Sequence, residues 1–190
     1  MGRPKEPKHE GSCRVFLAVG SNRGARESNC RRALRELERC RAVRVVASSP
    51  FYESEPWGVK EQPSFVNAVV EVETSLDPHG LLRLLKETER RMGRKEGRRW
   101  GPRPVDLDIV LFGERIVESD ELVIPHRFMH ERPFVLRPLA HLAASVRHPL
   151  LGRTIGELAD AAGDKGLIRR LGGRPEDEGP RPPAPPGEGP

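Results

Sequence analysis

The chain predicts an α+β domain: an antiparallel sheet with helices on one face and the other face open. Three observations carry this. Apolar side chains line one face with period two in residues 65–73 and 105–112, the signature of strands, and the continuous apolar run within 14–20 reads as a buried strand. Segments of helical period, 27–40 and 77–92, lie between them, and a shorter apolar run at 43–47 completes the set. The resulting order is strand, helix, strand, strand, helix, strand. That is the split βαβ, or ferredoxin-like, arrangement.

Each element has a local reason. Val15-Phe16-Leu17-Ala18-Val19 is stopped by Gly20-Ser21-Asn22-Arg23-Gly24. Cys30, Leu34, Leu37 and Cys40 fall on one side of the first helix. Val43-Arg44-Val45-Val46-Ala47 returns as a strand and continues unevenly toward Phe51-Tyr52-Glu53, after which 54–64 is a long polar loop. Val66, Ala68, Val70 and Val72 make one apolar face of the next strand, with Phe65, Asn67, Val69 and Glu71 on the other. Asp77-Pro78 opens the second helix as N-cap and first position, Leu81, Leu84, Leu85, Thr88 and Met92 line its inner stripe, and Gly93 ends it. A second polar loop, 94–104, leads to the last core strand. Beyond it come a short return at 115–117, the segments 122–126 and 129–136, and a terminal helix near 155–162, a C-terminal helical extension.

Bulk properties bound the rest. The 190 residues carry a net charge of +5 and are 36% hydrophobic, with 19 Gly and 19 Pro gathered in loops and at the ends. Residues 1–12 and 172–190 have little to bury and are expected to be disordered tails, leaving 13–171 as a single domain. No apolar run approaches membrane-spanning length. Three cysteines without CxxC spacing indicate neither a disulfide framework nor a zinc site, and point to a reducing cytoplasm.

The informative stretch is Arg99-Trp100-Gly101-Pro102-Arg103-Pro104-Val105-Asp106-Leu107-Asp108-Ile109-Val110-Leu111-Phe112. Alternation points Val105, Leu107, Ile109 and Leu111 one way, and Asp106, Asp108, Val110 and Phe112 the other. Two carboxylates side by side repel unless a cation sits between them. Mg²⁺ favours one or two carboxylates plus substrate phosphates, and Arg99 and Arg103 supply groups for those phosphates. The cluster reads as a phosphoryl-transfer site; the plainer alternative is a solvated acidic face that balances the arginines. Packing the aliphatic faces on the helices places Asn67, Asp106 and Asp108 together on the uncovered side of the sheet.

Four motifs together resemble the 6-hydroxymethyl-7,8-dihydropterin pyrophosphokinase family: Val19-Gly20-Ser21-Asn22, Gln62-Pro63-Ser64-Phe65-Val66-Asn67-Ala68-Val69, the Arg99–Val110 run, and Ile124-Pro125-His126. The resemblance covers about residues 15–158. It implies transfer of diphosphate from ATP, as co-substrate, to the hydroxymethyl group of a reduced pterin, with release of AMP, in folate biosynthesis. It also implies two Mg²⁺ ions on Asp106 and Asp108, with Arg94 and Arg103 as catalytic-loop arginines. For the pterin it implies Ser54, Glu55, Trp57, Gly58, Phe65, Asn67 and Phe134. For ATP it implies Lys86, Glu89, Trp100, Arg103, Ile109, Leu122, His126, Arg127 and Arg132. Glu96, Lys86 and Arg127 depart from the commoner family pattern. The partners expected are these two small molecules, with no nucleic acid and no membrane, and the protein is expected to be a monomer.

Two rivals share parts of this picture. A ferredoxin-like RNA-binding module would place stacking aromatics on the open face, but only 5% of the chain is aromatic and that face carries carboxylates. A metal-dependent nuclease shares the carboxylates but leaves the pterin-loop motifs unexplained.

Overall fold

The computed structural model describes residues 11–94 and 101–171. Of the expected tails at 1–12 and 172–190, residues 1–10 and 172–190 lie outside the described residues, as do Glu96, Arg99 and Trp100. In chain order the elements are β1 (Cys13–Ser21), α1 (Arg26–Glu38), β2 (Val43–Ser48), β3 (Phe51–Ser54), β4 (Phe65–Thr74), α2 (Pro78–Arg91) and β5 (Asp106–Phe112). There follow β6 (Val117–Glu118), β7 (Val123–Ile124), α3 (Pro133–Ala143), α4 (Ile155–Ala162) and β8 (Leu167–Leu171).

The main sheet is antiparallel, in the order β5-β1-β4-β3-β8, and β2 also pairs with β4. The uneven second strand is thus two pieces, β2 and β3, on one side of β4, broken at Ser49-Pro50. Asp77 caps α2 by accepting the Gly80 N–H at 2.5 Å, with Pro78 in the first turn. Thr154 and Glu157 cap α4 reciprocally as a capping box.

One face of the sheet packs on α1 and α2 through Leu17, Val19, Cys30, Leu37, Val70, Val72, Leu81, Leu85, Leu107 and Ile109. The other face is not open, as the sequence led us to expect. A second core of Phe16, Val69, Val110, Leu111, Leu136, Leu139, Ile155 and Leu158 covers much of it with α3 and α4. The segment read only as 129–136 therefore continues into a helix, and its apolar side takes up that half of the sheet. What stays uncovered is the end of the face that carries Asn67, Asp106 and Asp108.

A second correction concerns β5. Phe16 pairs with Leu111 and Leu17 with Ile109, so Val110 is an extra residue in β5, a β-bulge. Beyond it the alternation inverts: Leu111 joins the α3/α4 core and Phe112 joins the α1/α2 core, opposite to strict alternation. The bulge lies after Asp106 and Asp108, so it leaves their common face intact.

Candidate active site

Register sets the floor of the site. Gly20 on β1 lies between Asn67 of β4 and Asp106 of β5, and Ala18 lies between Val69 and Asp108. The two small residues keep the floor low. A Cβ at position 20 would sit 2.8 Å from Asn67 Oδ1. Over this floor opens a cleft of about 240 Å³. Its lining includes Ser54, Glu55, Trp57, Phe65, Asn67, Lys86, Arg94, Arg103, Asp106, Asp108, Arg132 and Phe134, so most of the side chains expected from the sequence come together. Ala18, Gly20, Gln62 and Val135 also line it. Gly20 and Gln62 stand in the motifs quoted from the sequence but were given no role in the site, and Ala18 and Val135 were passed over, although two small residues alternating along the first strand were the available signal for its floor.

The acidic end is tightly wired. Arg94 Nη1 donates to Asp106 Oδ1 at 2.6 Å and pairs with Glu89 Oε1 at 2.5 Å. Arg103 Nη1 reaches both Asp106 oxygens, at 3.0 and 3.1 Å. Lys86 Nζ lies 3.2 Å from Glu89 Oε2, and Glu89 accepts the Leu107 N–H at 2.7 Å. Glu89 is 1% exposed. It lies behind the cleft as a brace between α2, β5 and Arg94, and burial pushes its carboxyl up against the opposing pull of Lys86. Burial also acts to raise the Asp106 carboxyl, but Arg103 and Arg94 together outweigh it and hold that carboxyl below its usual range. Asp108 goes the other way, raised by burial and then by the neighbouring Asp106 charge. No hydrogen bond to the Asp108 carboxylate occurs among the described residues.

These donors fit a particular kind of cation. Among the described residues no group of three or more His, Cys, Asp and Glu is placed to hold a metal. Two hard carboxylates on one face, one of them without a hydrogen-bond donor among the described residues, suit Mg²⁺, which completes its shell with waters and phosphate oxygens.

The other end is amide and aromatic. Asn67 Nδ2 donates to Ser54 Oγ at 2.8 Å. Ser54 is the last residue of β3 rather than the first of the loop, and so is held by the sheet. The Trp57 and Phe134 rings touch, with centroids 5.9 Å apart and planes at 58°. Arg132 lies against Trp57, Phe128 and Phe134, with its Nη1 3.4 Å from His126 Nε2. His126 hangs from the strand end by donating its N–H to the Val110 carbonyl at 3.0 Å. Burial is the main reason its imidazole holds a proton less tightly than usual; Asp108 opposes this and Arg132 reinforces it.

Several expected residues lie elsewhere. Ile109 (3% exposed) and Leu122 (7%) are packed in the α1/α2 core, Ile109 because β5 turns that face to the helices. Arg127 is exposed and faces Glu118 at 3.9 Å. Gly58 is an exposed turn residue with φ 87° and is absent from the lining. Trp100 lies outside the described residues.

Asn22 ties the two flanking loops together. Its Oδ1 accepts the Arg103 N–H at 2.8 Å, while its Nδ2 donates to Gln62 Oε1 at 2.9 Å and to the Pro63 carbonyl at 3.3 Å.

The chain is similar to several known proteins. The chain is 45% identical over 159 residues to a 2-amino-4-hydroxy-6-hydroxymethyldihydropteridine pyrophosphokinase of Pseudomonas aeruginosa, covering 84% of this chain and 98% of that one. It is 44% identical over 132 residues to the protein of the same name from Bacillus subtilis, covering 70% of this chain and 79% of the other. Among solved structures it resembles a Plasmodium falciparum HPPK-DHPS triple mutant with STZ-DHP, with a TM-score of 0.64 at 15% identity, covering 83% of this chain. The chain spans 44% of that longer protein, and the likeness speaks for the fold alone. The family model of 7,8-dihydro-6-hydroxymethylpterin-pyrophosphokinase (HPPK) matches residues 16–144, and the chain belongs to that family.

Proposed function

We propose that the cleft between β4 and β5 is where this chain carries out its family's reaction: transfer of diphosphate from ATP to the hydroxymethyl group of 6-hydroxymethyl-7,8-dihydropterin. The observation that carries this reading is the row Asn67, Gly20, Asp106 across three adjacent strands. Two strand spacings separate the amide from the carboxylate, about 10 Å, the reach of a two-ring pterin with its hydroxymethyl arm. The split-βαβ reading of the core is supported by the same strand order.

Asn67 offers an amide to the hydrogen-bonding edge of the pterin, with Phe65 and Phe134 against the ring faces. Arg94, Arg103, Lys86 and Arg132 face the triphosphate, where positioning and charge neutralisation supply most of the catalysis. The pterin oxygen attacks the β-phosphorus, the bond from that phosphorus to the α-phosphate oxygen breaks, AMP leaves, and the hydroxyl proton passes to solvent. Asp106 and Asp108 hold Mg²⁺, two ions in the full reading. When bound, Mg²⁺ neutralises triphosphate charge and eases loss of the hydroxyl proton. Arg94 and Arg103 turn from Asp106 to the phosphates as the site fills. Glu89 acts through Arg94 and needs no contact with nucleotide.

We place the protein in the cytoplasm as a monomer. The reducing compartment is supported by three free cysteines. No helix among the described residues is long and apolar enough to cross a membrane.

The decisive assay incubates the protein with ATP, Mg²⁺ and hydroxymethyldihydropterin and separates the nucleotides. AMP and pterin diphosphate in equal amounts are expected. ADP in place of AMP, or no pterin product, overturns the reading.

A further inference from the structure

We propose that Glu53 is a positioning residue for the pterin, clasping both stems of the loop that carries Glu55, Trp57 and Gln62 onto the cleft. The inference rests on the pterin reading above. Glu53 is 7% exposed and sits at the end of β3, one residue before Ser54. In register it faces Val66, whose side chain lies in the α1/α2 core, so it points away from the cleft and touches no substrate.

Its two oxygens are fully engaged. Oε1 accepts from Ser64 Oγ and from Arg26 Nη1, each at 2.8 Å, and Oε2 accepts from Arg169 Nε at 2.9 Å. The same Arg26 nitrogen donates to the Ser64 carbonyl at 2.8 Å and to Ser64 Oγ at 2.6 Å. Glu53 is the penultimate residue of β3, and Ser64 is the residue immediately before β4. The carboxylate therefore fastens the two points where β3 and β4 part, and Arg26 on α1 and Arg169 on β8 brace it from either side.

The consequence lies in the cleft. Where the stems are pinned, Ser54 is held opposite Phe65 and within reach of Asn67, whose amide it orients. Just past the stem, the Glu55 N–H donates to the Gly166 carbonyl at 2.8 Å, at the turn that leads into β8. Holding the loop in advance lowers the ordering cost of binding a small flat ligand. Release of the clasp weakens pterin binding and leaves the nucleotide end, built on β5 and α2, unaffected.

The test compares Glu53→Gln and Ser64→Ala with wild type in kcat, in KM for each substrate, in calorimetric pterin affinity, and in hydrogen exchange of residues 55–64. Glu53→Gln is expected to raise the pterin KM about tenfold, to leave the ATP KM within about twofold, and to speed exchange in the loop. Ser64→Ala shifts the same quantities less, and Arg26→Lys retains more pterin affinity than Arg26→Ala. Unchanged pterin affinity together with unchanged loop exchange in both Glu53→Gln and Ser64→Ala overturns the proposal. Ser64→Ala alone decides it should Glu53→Gln fail to fold. Asn67→Ala separates the two levels: if it leaves pterin binding intact, the cleft reading fails; if it abolishes binding while the clasp variants bind normally, only the clasp fails.

Discussion

The two ends of the cleft are prepared in opposite ways. At the pterin end the groups are already satisfied and held: Asn67 by Ser54, Trp57 against Phe134, and the loop stems by Glu53. At the phosphate end the cations are spent on the protein's own carboxylates, Arg94 and Arg103 on Asp106 and Lys86 on Glu89, and Asp108 is left without a donor among the described residues. One end waits for a ligand that fits as it stands. The other must exchange partners, because arginines that turn to phosphates leave carboxylates in need of another cation.

That contrast predicts different fates for two acids on one strand face. Asp106→Asn and Asp108→Asn should each lower kcat/KM by about a thousandfold or more, since both remove charge where the phosphates are held. Their stabilities should move in opposite directions. Asp106→Asn takes the carboxylate from Arg103 and one of the two carboxylates from Arg94, and should cost about 2 kcal/mol. Asp108→Asn relieves a half-buried charge beside a like charge and should gain about 1 kcal/mol. Thermal denaturation in the presence of a chelator checks both signs. Destabilisation by Asp108→Asn would mean that its carboxylate has a partner in the resting protein.

The floor between the two ends offers a subtler probe. In Gly20→Ala the added Cβ meets Asn67 Oδ1 at 2.8 Å. Asn67 yields by turning its amide off Ser54, so the pterin KM should rise about tenfold with the ATP KM unchanged. Steady-state kinetics with each substrate varied in turn reads this directly. An equal rise in both KM values would show that the ends are not independent and would blur the contrast drawn above.

Which parts were legible in the sequence follows from how local their causes are. The Asp77-Pro78 start of α2 and the alternation in β4 are written in neighbouring residues, and the structure agrees with them closely. The paired aspartates and Asn67 were legible for the same reason, since period-two alternation suffices to bring them onto one face. The bulge at Val110 was not, because an inserted residue leaves no mark on an aliphatic run until its partner strand is known. Nor was α3, whose internal Pro138 is a local signal against helix that burial against β4 overrides. β8 is Leu-Ile-Arg-Arg-Leu, and only pairing with β3 makes it a strand. Ile109 and Leu122 show the limit of motif matching: each stands in the expected motif or segment, but its side chain is packed in the core.

The smallest effect tests how firmly the pterin end is prepared. Ser64 and Arg26, followed by Arg169, hold the Glu53 carboxyl down from 4.5 to about 2. A carboxyl depressed on folding adds stability that is fully present above its unfolded value and is lost as pH falls through its folded one. The contribution of the clasp is therefore whole at about pH 5 and above, declines below 4.5, and is gone a little under pH 2. Other carboxylates titrate in the same window, so the quantity to follow is the Tm of wild type minus that of Glu53→Gln, in which their effects largely cancel. That difference should be about 4 °C near neutrality and should close as the acid protonates Glu53. A gap that stays constant down to acid unfolding would mean that the charge of Glu53 does not hold the loop stems, and that packing alone prepares the pterin end.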